Sequence, residues 1–438
     1  MTAARAAREA WIRSAHEEVA GWSAVESRRE RYALLWRYYD NDLYDDLGSY
    51  KSNRGLYRHI RGIYNPAGRL VDFYVAKIWG GKLDFSGDGG AIPIEAKNAA
   101  VMPALKEIWK WSNWEAKKNL AVRWGACLGD MVLKVVDDRE RGKVFLQVLH
   151  PRVVKSAEFD LAGNVRAAVI EYVDGETDEE GNYDTFTYRE EITKGSFSTF
   201  RDDDPYDYYG YGTTWPNDYG FVPLVIGPHK DVGHDWGASC FHNGLRTIDE
   251  VNDQVSVFSD RMRTGNNPPW LLSGVSRGRD DADIDLSSDG ATTGDQSRRQ
   301  QENVLYGDVG AKGQALVTDV GLSETLDYVA LLFSEVEQKF PELSLHRLRQ
   351  KGQVPRMESV AILYEDVRDK VVEARGNYDA ALVRAQKMAL SIAGLRGLVE
   401  GFDLESFESG DEEHVIGDRA VFLATDSLPM GEMGGDDE

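Results

Sequence analysis

Cysteine is almost absent. Only Cys127 and Cys240 occur among 438 residues, with no metal-like spacing and no basis for a disulfide framework, which fits a reducing compartment. Long apolar runs are missing too. No stretch approaches the ~20 consecutive apolar residues that span a bilayer, and 42% hydrophobic residues with a mean hydropathy of -0.46 read as a soluble protein. Positive charge is short: 51 Lys and Arg stand against 74 Asp and Glu, a formal net charge of -23. Affinity for nucleic acid draws on phosphate neutralisation by Lys and Arg. The balance argues against a protein that grips DNA or RNA, but is compatible with one that lets a duplex slide past. Residues 1–30 mix Arg and Glu in a helical pattern, with no apolar stretch resembling a secretory leader.

Motifs that carry chemistry are scarce as well. No Gly-x-x-x-x-Gly-Lys-Ser/Thr loop exists to cradle a phosphate; Gly307-Asp-Val-Gly-Ala-Lys-Gly313 lacks the spacing and the hydroxyl. Asp281, Asp283 and Asp285 start like a calcium loop, yet Leu286 stands where the glycine belongs and Thr292 where the bidentate glutamate belongs. The eight histidines are scattered, with His229 and His234, beside Asp231 and Asp235, nearest to a pair. His-Glu-x-x-His, Gly-x-Ser-x-Gly and spaced Cys-His pairs are all missing. The expectation is no catalytic residue, no metal and no cofactor; a hydrolase using an unrecognised acid pair is kept as a rival reading.

What the chain does hold is periodicity. Leu326, Val329, Phe333, Val336 and Phe340 recur at steps of three and four, as do Leu245, Ile248, Val251, Val255, Phe258 and Met262. A third series, from Leu363 through Val367, Val371, Ala374, Tyr378, Ala381, Ala385 and Met388 to Ile392, predicts a helix over 359–393, roughly 50 Å long. Between the last two helices lies Leu345-His-Arg-Leu-Arg-Gln-Lys-Gly-Gln-Val-Pro355-Arg356, which holds cations and no acid. Gly352 and Pro355 break the helix there. By itself this stretch reads as the solvated turn of a helical hairpin.

Elsewhere, helical material with Trp36, Tyr38 and Tyr39 opens the chain to about residue 44. Asn65-Pro-Ala-Gly68 punctuates it, and a helix over 69–79 ends at Gly80-Gly81. A helix over 107–125 carries Trp109, Trp111, Trp114 and Trp124, a stripe read as core or interface in preference to a ligand cage. From Asp130 the period shortens to that of strands: 131–136, 143–149, 165–173, 185–190 and 196–200, an antiparallel region closed by 218–225. Acidic residues at 174–184 suit a solvated hairpin tip. Asp202-Asp-Asp-Pro-Tyr-Asp-Tyr-Tyr-Gly-Tyr-Gly212 is an aromatic insert with two open readings, a contact surface for a partner or a packed loop. Short strands at 270–274, 303–306 and 314–320 form a small module between two helices of similar length.

This order of elements resembles the portal proteins of tailed bacteriophages, the long-tailed siphophage type in particular. The residues that carry the likeness are Asn65-Pro-Ala-Gly68 with its following helix to Gly80, Trp124-Gly-Ala-Cys-Leu-Gly-Asp130, and Leu149-His-Pro151. Further pieces are Val222-Pro-Leu-Val225, Gly237-Ala-Ser-Cys240, the stretch from Leu245 to Asn252 with its Ile-Asp-Glu-Val-Asn core, Asn267-Pro-Pro269, and the long helix after Val354-Pro-Arg. The likeness spans roughly residues 50–425, and its specificity lies in the shared order more than in any one piece.

The resemblance implies an α+β portal-protein fold. Residues 1–235 correspond to a wing of mixed helices and antiparallel β, 236–264 and 324–343 to paired stem helices, and 265–323 to a small α/β clip. Residues 344–357 correspond to the tunnel loop, 358–393 to the wing's long spine helix, and 394–438 to a short crown and acidic tail. It implies a dodecameric ring whose loops present His346, Arg347, Arg349, Gln350, Lys351 and Arg356 to passing DNA. Stem-helix packing and subunit contacts would use Leu245, Ile248, Val251, Val255 and Phe258, with Leu326, Val329, Phe333 and Val336 opposite. Gly376 and Asn377 would kink the spine. Implied partners are further copies of the chain, major capsid and scaffold proteins, the terminase large subunit, a head-tail adaptor, and double-stranded DNA bound without sequence specificity; no membrane is implied. The setting would be the portal vertex of a virion assembled in the host cytoplasm. ATP hydrolysis would belong to the terminase, and this chain would not be an enzyme. A rival of a different class is an oligomeric capsid scaffold or adaptor with no channel.

Overall fold

The computed structural model describes residues 28–43, 62–177, 183–266, 270–273, 304–307, 314–315, 322–344, 357–399, 402 and 413–417. In chain order they form helix α1 (Arg28–Asp40), helix α2 (Pro66–Ile78), strand β1 (Ile94–Ala96), and helices α3 (Val101–Trp111) and α4 (Trp114–Leu128). Strands β2 (Asp130–Asp138), β3 (Lys143–Leu149), β4 (Val154–Phe159), β5 (Val165–Thr177), β6 (Tyr183–Thr193), β7 (Ser196–Arg201), β8 (Asp204–Pro205), β9 (Thr214–Pro216) and β10 (Leu224–Pro228) follow. Helix α5 (Leu245–Asn266), strands β11 (Trp270–Ser273), β12 (Val304–Gly307) and β13 (Gln314–Ala315), helix α6 (Leu322–Lys339), helix α7 (Met357–Leu395) and strand β14 (His414–Ile416) complete the order. The class is α+β, with mostly antiparallel sheets.

These residues divide into two compact units. The first takes 1–43, 65–245 and 337–438, the second 44–64 and 246–336. In the first unit, β2 is the centre of a three-stranded sheet in the order β10-β2-β3. Successive residues of β2 from Asp130 to Leu133 are buried, so both its faces are covered. The cover comes from α3, α4 and α7, all of which pack on this sheet. Gly227 of β10 shows how closely α7 approaches: a Cβ there would stand 2.6 Å from that of Ala381.

A six-stranded antiparallel sheet, β4-β5-β6-β7-β8 with β9 also on β7, extends the first unit. Tyr172, Tyr188 and Arg201 align across β5, β6 and β7. The two sheets are tied by an ion pair, Lys134 Nζ donating to Glu190 Oε2 at 2.5 Å, with the side chains only 12% and 4% exposed. Burial lowers the lysine's pKa, but the charge of Glu190, with Tyr209 and the Glu190 hydrogen bond adding to it, outweighs that and leaves it raised. After α7 the chain returns through β14, which pairs with β1; His414 Nε2 meets Gln386 of α7 at 2.8 Å.

The second unit contains most of α5, most of α6, and between them a sheet in the order β12-β11-β13. Its strands stand where short apolar runs predict them, but β12 runs parallel to β11.

Several boundaries differ from the sequence reading, for local reasons. Helix α2 starts at Pro66, since Asn65 Oδ1 accepts the Ala67 N–H as an N-cap and Pro66 occupies the first turn. The helix expected over 107–125 is two helices, because Ser112 ends α3 and Asn113 adopts a left-handed φ of 49°. The segment 236–264 becomes α-helical only at Leu245, after a 3-10 turn over His242–Gly244. Strand β4 carries no clear alternation and escapes the pattern.

Candidate functional site

Two of the glycine-bearing stretches, 124–130 and 237–240, meet inside the first unit. Gly125 leaves α4 bare where the Tyr378 ring of α7 crosses it; an added Cβ would lie 2.1 Å from the Tyr378 hydroxyl. Gly129 closes α4 at φ 103°, its N–H on the Gly125 carbonyl. Asp130 follows, fully buried. Its Oδ2 accepts the Tyr32 hydroxyl of α1 at 2.5 Å and its Oδ1 the Gly237 N–H at 2.7 Å. Gly237 has no room for a side chain, since a Cβ there would stand 2.3 Å from the Gly129 carbonyl oxygen. Two residues on, the Ser239 hydroxyl and the Cys240 N–H both donate to Ala126 O.

From this joint a chain of buried polar contacts runs back to α7. His229 Nδ1 and the Tyr378 hydroxyl share a hydrogen bond at 3.0 Å. The imidazole meets the Tyr74 ring edge-on at 4.7 Å, and the Tyr74 hydroxyl donates to Glu342 Oε1 at 2.8 Å. Lys370 of α7 closes the circuit, its Nζ 3.4 Å from the same oxygen and 3.2 Å from Lys339 O. On α7 itself, Asp379 accepts from Trp79 Nε1 at 2.8 Å and pairs with Arg375 at 3.1 Å.

The electrostatics make this a lock. Burial drives the His229 pKa down to about 3, with His242 and Lys230 adding to it, so the ring is neutral at pH 7. Burial likewise pushes the Tyr378 phenol and the Cys127 and Cys240 thiols up, so each keeps its proton. Asp130 is pushed up to about 6 by burial, against the lowering effect of its two hydrogen bonds and of Arg28 and Arg31. Burial thus holds the thiols, the phenol and the imidazole of this joint in their uncharged forms. What the arrangement does is hold α7 against α2, α4 and β10.

In the second unit, α5 buries Ile248 and Val251, with Val255 and Phe258 half-buried; Leu245, at its start in the first unit, is buried too. On α6, Val329 and Val336 are buried and Phe333 half-buried, while Leu326 stands 51% exposed. Asn252, named from sequence only as the end of the Ile-Asp-Glu-Val-Asn stretch and given no role, is fully buried on the apolar stripe of α5. Its amide clamps the backbone of Tyr64, accepting the N–H at 2.8 Å and donating to the carbonyl at 2.9 Å. The Tyr64 ring meets Phe333 of α6 edge-on at 4.8 Å. Tyr64 therefore touches both helices. The available signal was an amide inside an otherwise apolar stripe.

Residues His346, Arg347, Arg349, Gln350, Lys351 and Arg356 of the cationic segment lie outside the described residues. Their flanks do not. Before them, Phe340 is buried against Gly244, and Glu342 is held by Tyr74 and Lys370. After them, α7 begins at Met357 and runs to Leu395 as one helix through Gly376 and Asn377. Gly376 is exposed, with nothing within 4 Å of an added Cβ; Asn377 donates to His229 O at 3.4 Å.

The pairing of His229 with His234 is not formed, since His229 is buried in the joint and His234 is exposed. Among the described residues no cluster of His, Cys, Asp and Glu is placed to hold a metal ion, and no helix is long and apolar enough to cross a membrane. No protein-family model matches the chain, and no curated protein matches it.

Proposed function

We propose that this chain is one subunit of a portal, a ring at one capsid vertex of a tailed-phage virion through which double-stranded DNA is packaged and later ejected. The observation that carries the reading is the order α5, small sheet, α6, cationic segment and 39-residue α7, with buried Glu342 just before the cationic segment held by Lys370 of α7 beyond it. In this reading α5 and α6 are the stem helices, the sheet of β11, β12 and β13 belongs to the clip, and α7 is the spine. The joint around Tyr378 holds the spine to the wing. Exposed Leu326, Tyr328 and Leu331 on α6 suit contact with a neighbouring copy in a rotationally closed ring.

Each copy contributes one cationic segment to the bore. Weak phosphate contacts from Arg347, Arg349 and Lys351 position and brake the duplex without reading its sequence, while the excess of acid elsewhere keeps DNA from sticking. The terminase supplies ATP hydrolysis and docks on the clip, later replaced by the head-tail adaptor; scaffold and major capsid protein surround the ring during assembly in the host cytoplasm. Native mass spectrometry and electron microscopy of the full chain, alone and co-expressed with capsid protein, test this. A closed ring with an open central channel is expected, and a solid, channel-free oligomer would favour a scaffold instead. Changing Arg347, Arg349 and Lys351 together to Gln is expected to impair packaging or retention of DNA. Normal packaging, retention and ejection in that triple variant would remove the cationic segment from the mechanism.

A further inference from the structure

The outer part of the six-stranded sheet is roofed by the aromatic insert. Tyr208 lays its ring 4.9 Å from that of Tyr188 and donates its hydroxyl to Asp174 at 3.1 Å. Since the Tyr188 hydroxyl donates to Glu190, the Tyr209 hydroxyl, 3.1 Å away, donates to Tyr188. The insert is therefore a packed loop, fixed from below. Its upper side is not covered: Tyr206, Tyr209 and Tyr211 are 41%, 43% and 37% exposed. Tyr209 and Tyr211 lie nearly parallel, 19° apart, and both abut Trp215, with centroids 5.8 Å and 5.9 Å from its ring.

Acid outweighs base in the described segments that carry and flank these rings. The described residues 174–177, 183–184 and 202–212 contain seven Asp and Glu and no Lys or Arg. The cations next to the surface come from the end of β7 and the turn after β2, and they lie on aromatic faces. Arg201 sits 4.0 Å over the Phe186 ring while pairing with Glu176, and Arg139 sits 5.0 Å over Tyr211. Guanidinium on a ring beside a carboxylate is thus the interaction this surface already makes with its own chain.

We propose that the exposed tyrosine face is a docking surface for an extended, arginine-containing segment of a partner protein. The acidic surround attracts cations and repels nucleic acid and anionic lipid surfaces alike. The pre-fixed rings offer large contact area at little entropic cost, and their parallel faces accept a guanidinium or a proline ring equally. The assignment does not depend on whether the chain forms a ring.

Fluorescence anisotropy on the full chain tests it, with a labelled short peptide alternating arginine and proline as the probe. Matched lysine–proline and glutamine–proline peptides and a single-stranded DNA oligonucleotide are the comparisons. The arginine peptide is expected to bind, to weaken with added salt, and to lose about tenfold in affinity when Tyr206→Ala and Tyr211→Ala are combined. The lysine peptide should bind less well, the glutamine peptide not at all, and the DNA should not displace the bound arginine peptide. Asp204→Asn with Asp207→Asn, which leaves every ring in place, should weaken the arginine peptide even if the tyrosine variant folds poorly by circular dichroism. The proposal is overturned if the wild-type chain fails to bind, if lysine or glutamine peptides bind as well, if the DNA displaces the arginine peptide, or if the aspartate variant binds unchanged.

Discussion

At the scale of single residues, Asp130 and His229 pull stability in opposite directions as pH changes. Asp130 is raised to about 6 from an ordinary 3.8, so between those values the fold holds a proton that the unfolded chain has released. Its contribution is complete below that window and is lost as pH rises through it. His229 is lowered to about 3 from 6.5, so between those values the unfolded chain holds a proton that the fold does not. That makes stability rise with pH, and from about 4 to 6 the two trends offset each other, each at up to about 1.4 kcal/mol per pH unit. Asp130→Asn should therefore unmask the histidine, giving urea midpoints that climb more steeply between pH 4 and 6 than in the wild type. His229→Asn should do the reverse, with midpoints that fall across the same interval. Parallel curves for all three proteins would mean that neither group is held as described. Sequence could not foretell this, because an Asp after Gly129 and a His after Pro228 look like loop residues until the segments that bury them are in place.

At the scale of elements, the long helix and the Asn252 clamp make separate predictions. Gly376 lies inside α7 with open space where a Cβ would go, so Gly376→Ala should raise thermal stability by about 0.5–1 kcal/mol through helix propensity. A loss instead would point to a backbone bent in a way alanine resists. If the spine must flex at this glycine during DNA passage, the same variant should package less DNA despite melting later. Asn252→Ala removes both partners from the Tyr64 peptide groups and should cost about 1–3 kcal/mol in denaturant unfolding. Asn252→Asp should not restore it, because a carboxylate accepts the N–H but cannot donate to the carbonyl. A cost under about 0.5 kcal/mol would reduce the clamp to a bystander. The three helical stripes themselves were legible, since a repeat of three and four residues needs no knowledge of distant segments. The break at Asn113 was not: Trp109 and Trp114 read as one stripe, and only the packing of both rings into the core turns the chain between them.

At the scale of the whole molecule, the proposed ring gives a net charge of -23 and a local run of cations different purposes. In that reading the excess of acid would keep DNA unbound, while one cationic segment per copy would gain strength only by repetition around an axis. A purified ring is therefore expected to bind duplex DNA weakly and with steep salt dependence, as measured by electrophoretic mobility shift. Binding should survive substitution of basic residues on the outer sheet, such as Arg166, and fall with the Arg347, Arg349 and Lys351 triple change. Equal loss from both would place the contact away from the bore.

Periodicity and composition by themselves determined the mixed class, the long helices, most strands from residue 131 to 200, and the want of any recognisable phosphate, metal or nucleophile motif. These are properties of neighbouring residues, and short-range sterics and side-chain period suffice to set them. Tertiary structure alone decided that Asp130, His229, Glu190 and Asn252 are buried, that β12 runs parallel to β11, and that the tyrosine insert is packed on one side and open on the other. Each depends on partners brought from far along the chain, because a polar group is buried only where a distant donor, acceptor or counter-charge arrives to meet it.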